Sequence, residues 1–248
     1  MKIAVLVKAV PDTQSTLKID SDKRHISTDD LTLVLNPYDE FAVEEALVIK
    51  EKFGGSVTLF SLGGSDIVKT IRTALAMGAD DAVHLSHPGS LDLLNRAKSL
   101  SAALKEGDFD LIFAGKQASD DDCGAIGSMI AEMLEIPHIA NVIKLETNDN
   151  SITAHREIEG GIEVHTATLP ALITAQKGLN EPRYASLKGI MAAKKKPIRE
   201  VKLDSFESKM EVISLSYPPM RPEGKVIGSG VEVVPELIKL LKEEAKVL

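Results

Sequence analysis

The sequence predicts an α/β fold: a doubly wound, mostly parallel sheet with helices on both faces, an added antiparallel ribbon and a C-terminal arm. Three observations point to it. Apolar runs alternate with segments of helical periodicity through the first half of the chain, the pattern of right-handed βαβ units. Four short strand-like segments separated by turn residues follow, over 142–146, 152–158, 162–167 and 172–175. Beyond residue 197 the periodicity fades into a proline-marked stretch that ends in one amphipathic segment.

Taken in order, 2–10 (KIAVLVKAV) reads as a first core strand. Residues 38–53 read as a helix that turns Phe41, Ala42, Ala46, Leu47 and Ile49 mostly inward. Its start is marked by Asn36-Pro37: the proline holds Asn36 extended and suits the first helical turn, and Asp39 and Glu40 favour a helix N-terminus. Then come a strand over 57–62, a helix over 66–77 stopped by Gly78, a strand over 82–85, a helix over 91–104 and a strand over 110–114. A helix over 122–134 stops before Pro137. In the ribbon, Gly160-Gly161 between two alternating segments signals a hairpin. Residues 184–193 form a short helix closed by Lys194-Lys195-Lys196, which reads as a solvated helix end. Residues 198–232, with Pro218, Pro219, Pro222 and Gly224, form an irregular arm before a helix over 234–245. The division is an α/β domain over 1–197 and a segment over 198–248 that reads as an arm lying on another subunit, the plainer alternative being a mobile tail with a terminal helix.

Composition narrows the functional classes. A net charge of −8 and no basic stripe with interleaved aromatics exclude a general nucleic-acid surface. The single cysteine, Cys123, excludes an intrachain disulfide and fits a reducing compartment. The histidines (His25, His84, His87, His138, His155 and His165) show no metal-ligand spacing, so no metal is expected. No apolar run approaches spanning length, and the expectation is a cytoplasmic protein without membrane insertion.

The chemistry concentrates in the loop Gly115-Lys116-Gln117-Ala118-Ser119-Asp120-Asp121-Asp122-Cys123-Gly124, which leaves an apolar strand (FDLIFA) and enters an amphipathic helix. A helix N-terminus after such a strand presents backbone N–H groups and a positive dipole end to phosphate. Adjacent carboxylates there suit ribose hydroxyls; a solvated turn with an Asp cap is the plainer alternative. Ser61-Leu62-Gly63-Gly64-Ser65-Asp66 resembles the pyrophosphate loop of the ATP pyrophosphatases, but Leu62 is inserted and Ile67 replaces its last Ser. It reads better as a glycine-rich βα turn whose backbone approaches the same ligand. Cys123 beside Asp122 is unsuited to thiolate chemistry, because a carboxylate raises a thiol pKa. With a nucleotide-like crevice and no recognisable catalytic constellation, the chain reads as a carrier or binding subunit. Leu187, Ile190 and Met191 form either a docking knob or the inner face of a surface helix.

Together these segments resemble the β subunit of electron-transfer flavoprotein over nearly the whole chain. The resemblance is carried by Asn36-Pro37, by residues 42–46 (AVEEA), 70–80 (TIRTALAMGAD) and Gly115-Lys116-Gln117-Ala118, and by Asp120-Asp121-Asp122. It continues through 156–161 (REIEGG), Leu169-Pro170-Ala171, 179–185 (LNEPRYA) and Ile190-Met191. It implies an electron carrier rather than an enzyme: an αβ heterodimer with one redox-active FAD held mainly by the α subunit and a structural AMP buried in this chain. The implied AMP residues are Asn36, Pro37, Tyr38 and Asp39, then Gly115, Lys116, Gln117, Ala118, Ser119, Asp120, Asp121, Asp122, Cys123, Gly124, Ala125 and Ile126. Leu6 and Leu62 join them from strand ends.

The resemblance further assigns Tyr184, Leu187, Ile190 and Met191 to partner docking, with Leu187 as the anchor, and Arg156 and Glu157 to contact with the mobile flavin domain. Electrons would pass from acyl-CoA-type dehydrogenases to a quinone-linked oxidoreductase. The alternative within the family is a bifurcating β subunit whose second FAD takes electrons from NADH. Outside it stand a nucleotide-hydrolysing or adenylating enzyme using residues 61–66, and a nucleotide-sensing module. Two departures matter. Cys123, Gly124, Ala125 and Ile126 replace the polar residues and Thr that usually follow the three acids. Asp121 stands where the second-FAD form usually has Gly, which argues against the larger ligand.

Overall fold

The strands of the computed structural model, which describes all residues except 88, 90, 205, 206, 221 and 222, are β1 (Lys2–Leu6), β2 (Ala9–Pro11), β3 (Leu33–Leu35), β4 (Ser56–Gly63), β5 (Asp81–Ser86) and β6 (Leu111–Gly115), followed by β7 (His138–Thr147), β8 (Ser151–Ile158), β9 (Gly161–Thr168), β10 (Ala171–Ala175) and β11 (Ile198–Lys202). The α-helices are α1 (Pro37–Phe53), α2 (Val68–Met77), α3 (Leu93–Lys105), α4 (Ile126–Leu134), α5 (Leu187–Ala193) and α6 (Val234–Glu243). The large sheet runs β11-β5-β4-β1-β6-β10-β7-β8-β9; it is parallel from β11 to β7 and antiparallel across β7, β8 and β9. Both faces are covered. Ile3, Val5, Leu59, Ile71, Leu75 and Phe113 pack in one layer, and Ala4, Phe60, Leu104, Ile112 and Ile130 in the other. Alternate residues of one strand thus enter two cores, as a doubly wound sheet requires.

Several elements differ from their sequence reading, each for a physical reason. The first strand is split. Val7 N–H still bonds Phe60 O, but the carboxylate of Asp39 takes Lys8 N–H at 2.7 Å and the chain turns out into a separate two-stranded sheet, β2 with β3. α4 starts at Ile126 instead of 122 because Asp122 adopts a positive φ, which a right-handed helix cannot continue. α5 starts at Leu187, where Ser186 Oγ accepts from Gly189 N–H as an N-cap. The hairpin tip is Glu159-Gly160, one residue before the expected pair, since Ile158 is paired with Gly161. β10 is fully buried and returns to the centre of the sheet between β6 and β7.

The stretch expected to be structureless contains β11, the edge strand beside β5, and α6 ends at Glu243. From 203 to 230 the described residues form neither helix nor strand; Pro222, named in the sequence reading, lies outside them. Part of this arm is tied to its own chain: Lys209 N–H donates to Asp92, Arg24 pairs with Glu211, and Ile19 N–H donates to Tyr217 Oη. α6 buries none of its residues. Lys196 is not a solvated helix end: its ammonium donates to the carbonyls of Leu75 and Ala79 and closes the C-terminus of α2.

Candidate functional site

β1 lies between β4 and β6, and the chain winds outward to either side of it, so the crevice beyond its carboxyl end is a topological switch point. A cavity of about 780 Å³ sits there. Of the residues singled out from the sequence, Leu6, Leu62, Asn36, Asp39, Gly115, Gln117, Ala118, Ser119, Asp120, Asp121, Cys123, Gly124 and Ile126 line it. Pro37, Tyr38, Lys116, Asp122 and Ala125 are outside the lining: Lys116 Nζ lies 5.1 Å from the centre of the Tyr38 ring, and Asp122 accepts from Gln117 Nε2 at 2.7 Å. Gly64 and Asp66 of the glycine-rich turn also line it. Buried Ser61 donates its hydroxyl to Val7 O at 2.8 Å and so is committed to structure rather than phosphate chemistry.

The floor is built by the start of α1. Asp39, 5% exposed, accepts from Lys8 N–H at 2.7 Å and Gly115 N–H at 2.9 Å, joining the chain just beyond β1 to β6 and α1 through one carboxyl. Asn36, also buried, holds the loop beyond: its amide donates to Gln117 O at 2.9 Å and accepts from Ser119 N–H at 3.2 Å. Asn36 and Asp39 are therefore the posts on which the 115–124 loop hangs. Burial pushes the Asp39 carboxyl up to about 7, against the opposing pull of the two N–H donors and Lys8. A free Asp ionises near 3.9, so between about pH 4 and 7 the native state holds a proton that the unfolded chain lacks. This contribution to stability is complete below pH 4 and is lost as pH rises towards 7. In chemical unfolding, the stability advantage of wild type over Asp39→Asn should therefore shrink across that window; an advantage that grows with pH contradicts the assignment.

Sequence reasoning missed the cations. Lys8 Nζ lies 2.7 Å from Asp120 and 2.8 Å from Asp121, and Arg96 Nη1 lies 3.5 Å from the same Asp121 oxygen; both side chains line the cavity. No sequence signal marked Lys8, which lies inside the run read as one strand; only the break after Leu6 places it two residues past a strand end at the switch point. These pairs hold Asp121 below the usual carboxylate range, though burial opposes them. Desolvation at the crevice wall and the Asp121 carboxylate push the thiol of the exposed Cys123 up, as expected of an unreactive cysteine. No side chain caps α4, whose first turn opens at Ile126 on the cavity. Among the described residues no cluster could hold a metal ion, and no helix is long and apolar enough to cross a membrane.

The second candidate region projects elsewhere. α5 packs on α2 so closely that a side-chain carbon at Gly189 would overlap Ala76 O, and Arg72 donates to the carbonyls of Ala193 and Lys196. Ahead of α5, the segment around Asn180 and Arg183 is clamped to α1 through Glu45 and Glu44. From this fixed base Tyr184 (98% exposed), Leu187 (83%) and Met191 (63%) reach solvent, with Ile190 beside them. That exposure leaves the apolar side chains of α5 uncovered in this chain. On the ribbon, Arg156 is half-buried and 3.7 Å from Glu163, while Glu157 is exposed.

A family model described as "Electron transfer flavoprotein domain" matches residues 25–205. The chain is 42% identical over 259 residues to the electron transfer flavoprotein subunit beta of Bacillus subtilis (strain 168), with all of both chains covered. It is 40% identical over 255 residues to the mitochondrial subunit beta of Arabidopsis thaliana, again over all of both chains. It is 40% identical over 256 residues to the subunit beta of Mus musculus, covering all of this chain and 99% of the relative.

Proposed function

The chain belongs to the electron transfer flavoprotein family as a β subunit, an electron carrier rather than an enzyme, and on that premise we propose that it works with structural AMP in its crevice and FAD held mainly by its α partner. The observation that carries the reading is the switch-point cavity, walled by the Asn36–Asp39 corner and the 115–124 loop, on a chain without a catalytic constellation. The residues fit a nucleotide: the uncapped α4 N-terminus and the Lys8 ammonium suit a phosphate, and the Asp120–Asp122 run suits ribose hydroxyls. AMP supplies no redox chemistry there; bound only to the folded state, it stabilises by mass action. FAD, when bound, supplies the one- and two-electron steps. This chain's residues supply a rigid base, a docking knob and an arm.

Asp121 favours AMP over a second FAD. It stands where the second-flavin forms usually carry Gly, and its carboxylate reaches across the crevice to Lys8 and Arg96. In this reading the reducing equivalents come from acyl-CoA-type dehydrogenases, which dock on Leu187 and its neighbours, and leave to a quinone-linked oxidoreductase. Arg156 and Glu157 face the mobile flavin domain, and 198–248 extends towards α with the exposed apolar face of α6. A cytoplasmic setting suits the free Cys123.

Stopped-flow reduction of the complex by an acyl-CoA dehydrogenase tests the carrier role. Leu187→Ala removes an exposed anchor of the kind that dominates docking, and should slow transfer by about tenfold or more at limiting concentration without changing flavin content. Unchanged transfer kinetics would remove Leu187 from the docking site.

A further inference from the structure

We propose that Lys8 is the cation that recognises the phosphate of the crevice ligand, freed for it by a counter-ion exchange in which Arg96 keeps Asp121 neutralised. The inference rests on the nucleotide reading above and adds the residue that distinguishes a phosphorylated ligand from a bare nucleoside. It begins from what the loop lacks. From Asp122 to the first residue of α4 the side chains are those of Cys123, Gly124, Ala125 and Ile126, and among them only a thiol, a weak donor, is polar. Backbone N–H groups at α4 supply partial positive charge, but a full positive charge has to come from elsewhere. Among the described lining residues, Lys8 and Arg96 are the Lys and Arg side chains.

The two cations are held differently. The Arg96 guanidinium is anchored by Nε donating to Leu91 O at 2.8 Å, while its Nη1 lies 3.5 Å from Asp121 Oδ2. The Lys8 ammonium ends a flexible four-carbon stem; it reaches that same Asp121 oxygen at 2.8 Å and Asp120 at 2.7 Å. Asp121 is thus shared between a cation anchored to the backbone and one carried on a long flexible stem. A dianionic phosphate entering beside the α4 N-terminus competes with the two carboxylates for the Lys8 ammonium. When Lys8 turns to it, Arg96 still faces Asp121, and Asp120, with 28% of its side chain exposed, regains solvent. No charge is left buried alone, which makes the exchange accessible. A Lys8 that merely pinned the loop would support the nucleoside and the nucleotide equally.

The test uses the complex with the α partner, its own nucleotide dialysed away, titrated with AMP and with adenosine by calorimetry. Wild type should prefer AMP. Lys8→Met should reduce the AMP-to-adenosine affinity ratio by at least about tenfold, the usual loss on removing a charge-assisted hydrogen bond. Lys8→Arg, which keeps the charge, should restore the ratio to within about threefold of wild type. Lys8→Gln keeps a donor for the carboxylates without the charge; it should lower the ratio as Met does and serves if the Met variant fails to fold. A ratio that survives loss of the charge overturns the assignment while leaving the nucleotide site intact. Wild type that takes up neither ligand overturns the nucleotide reading, and the role of Lys8 with it.

Discussion

Replacing Arg183 by Met is expected to destabilise the chain by about 3 kcal/mol, lowering its melting temperature by roughly 6–12 °C for a chain of this size. Glu44, on α1, is 6% exposed, and both its oxygens are taken by the Arg183 fork at 2.8 Å. Arg183 N–H adds a third bond at 3.0 Å, and the outer guanidinium nitrogens reach Glu51. Removing the guanidinium strands a buried carboxylate, which is the costly direction of breaking such a pair; the partial exposure of Arg183 places the effect at the low end of the usual range. Arg183→Lys would keep the charge but not the two-pronged geometry, and should lie between wild type and the Met variant. A Met variant as stable as wild type would show that the clamp is not what holds the docking segment to α1.

A Gly115→Ala change should do comparable damage by a different route, at the floor of the crevice. A side-chain carbon at 115 would overlap Asp39 Oδ1 and lie 2.7 Å from Tyr38 Cβ and 2.8 Å from the Tyr38 carbonyl carbon. The backbone at the start of α1 cannot yield without moving Asn36 and Asp39, the two posts of the binding loop. Overpacking of this kind costs about 1–3 kcal/mol, and loss of the Gly115 N–H bond to Asp39 adds to it. The larger consequence is for the ligand: AMP affinity measured by calorimetry should fall by at least about a hundredfold, equivalent to roughly 2.8 kcal/mol. Wild-type affinity in this variant would mean that the corner does not shape the site.

The fold was legible where local pattern and global role coincide. FDLIFA reads as a buried strand because β6 is buried at every position, and Asn36-Pro37 marks the α1 start by backbone geometry alone. What escaped depends on residues far apart in the chain. The break after Leu6 is fixed by the carboxylate of Asp39, 31 residues beyond Lys8. β11 carries charges on a short segment and is recognisable as a strand only beside β5. The same contrast holds at the sites. The 115–124 loop announces itself by composition, whereas Lys8 and Arg96 are isolated cations in unremarkable surroundings until the sheet brings them to Asp121. Two motifs read separately, around Glu44-Glu45 and Asn180–Arg183, prove to be partners, which explains why those residue types occur together.

The most direct test of the central claim is to purify the complex with its α partner, denature it and quantify the released nucleotides by chromatography. One FAD and one AMP per heterodimer is the predicted result and places the structural ligand in this chain's crevice. Two FAD and no AMP would contradict it and make the loop from Gly115 to Ile126 part of a second redox site.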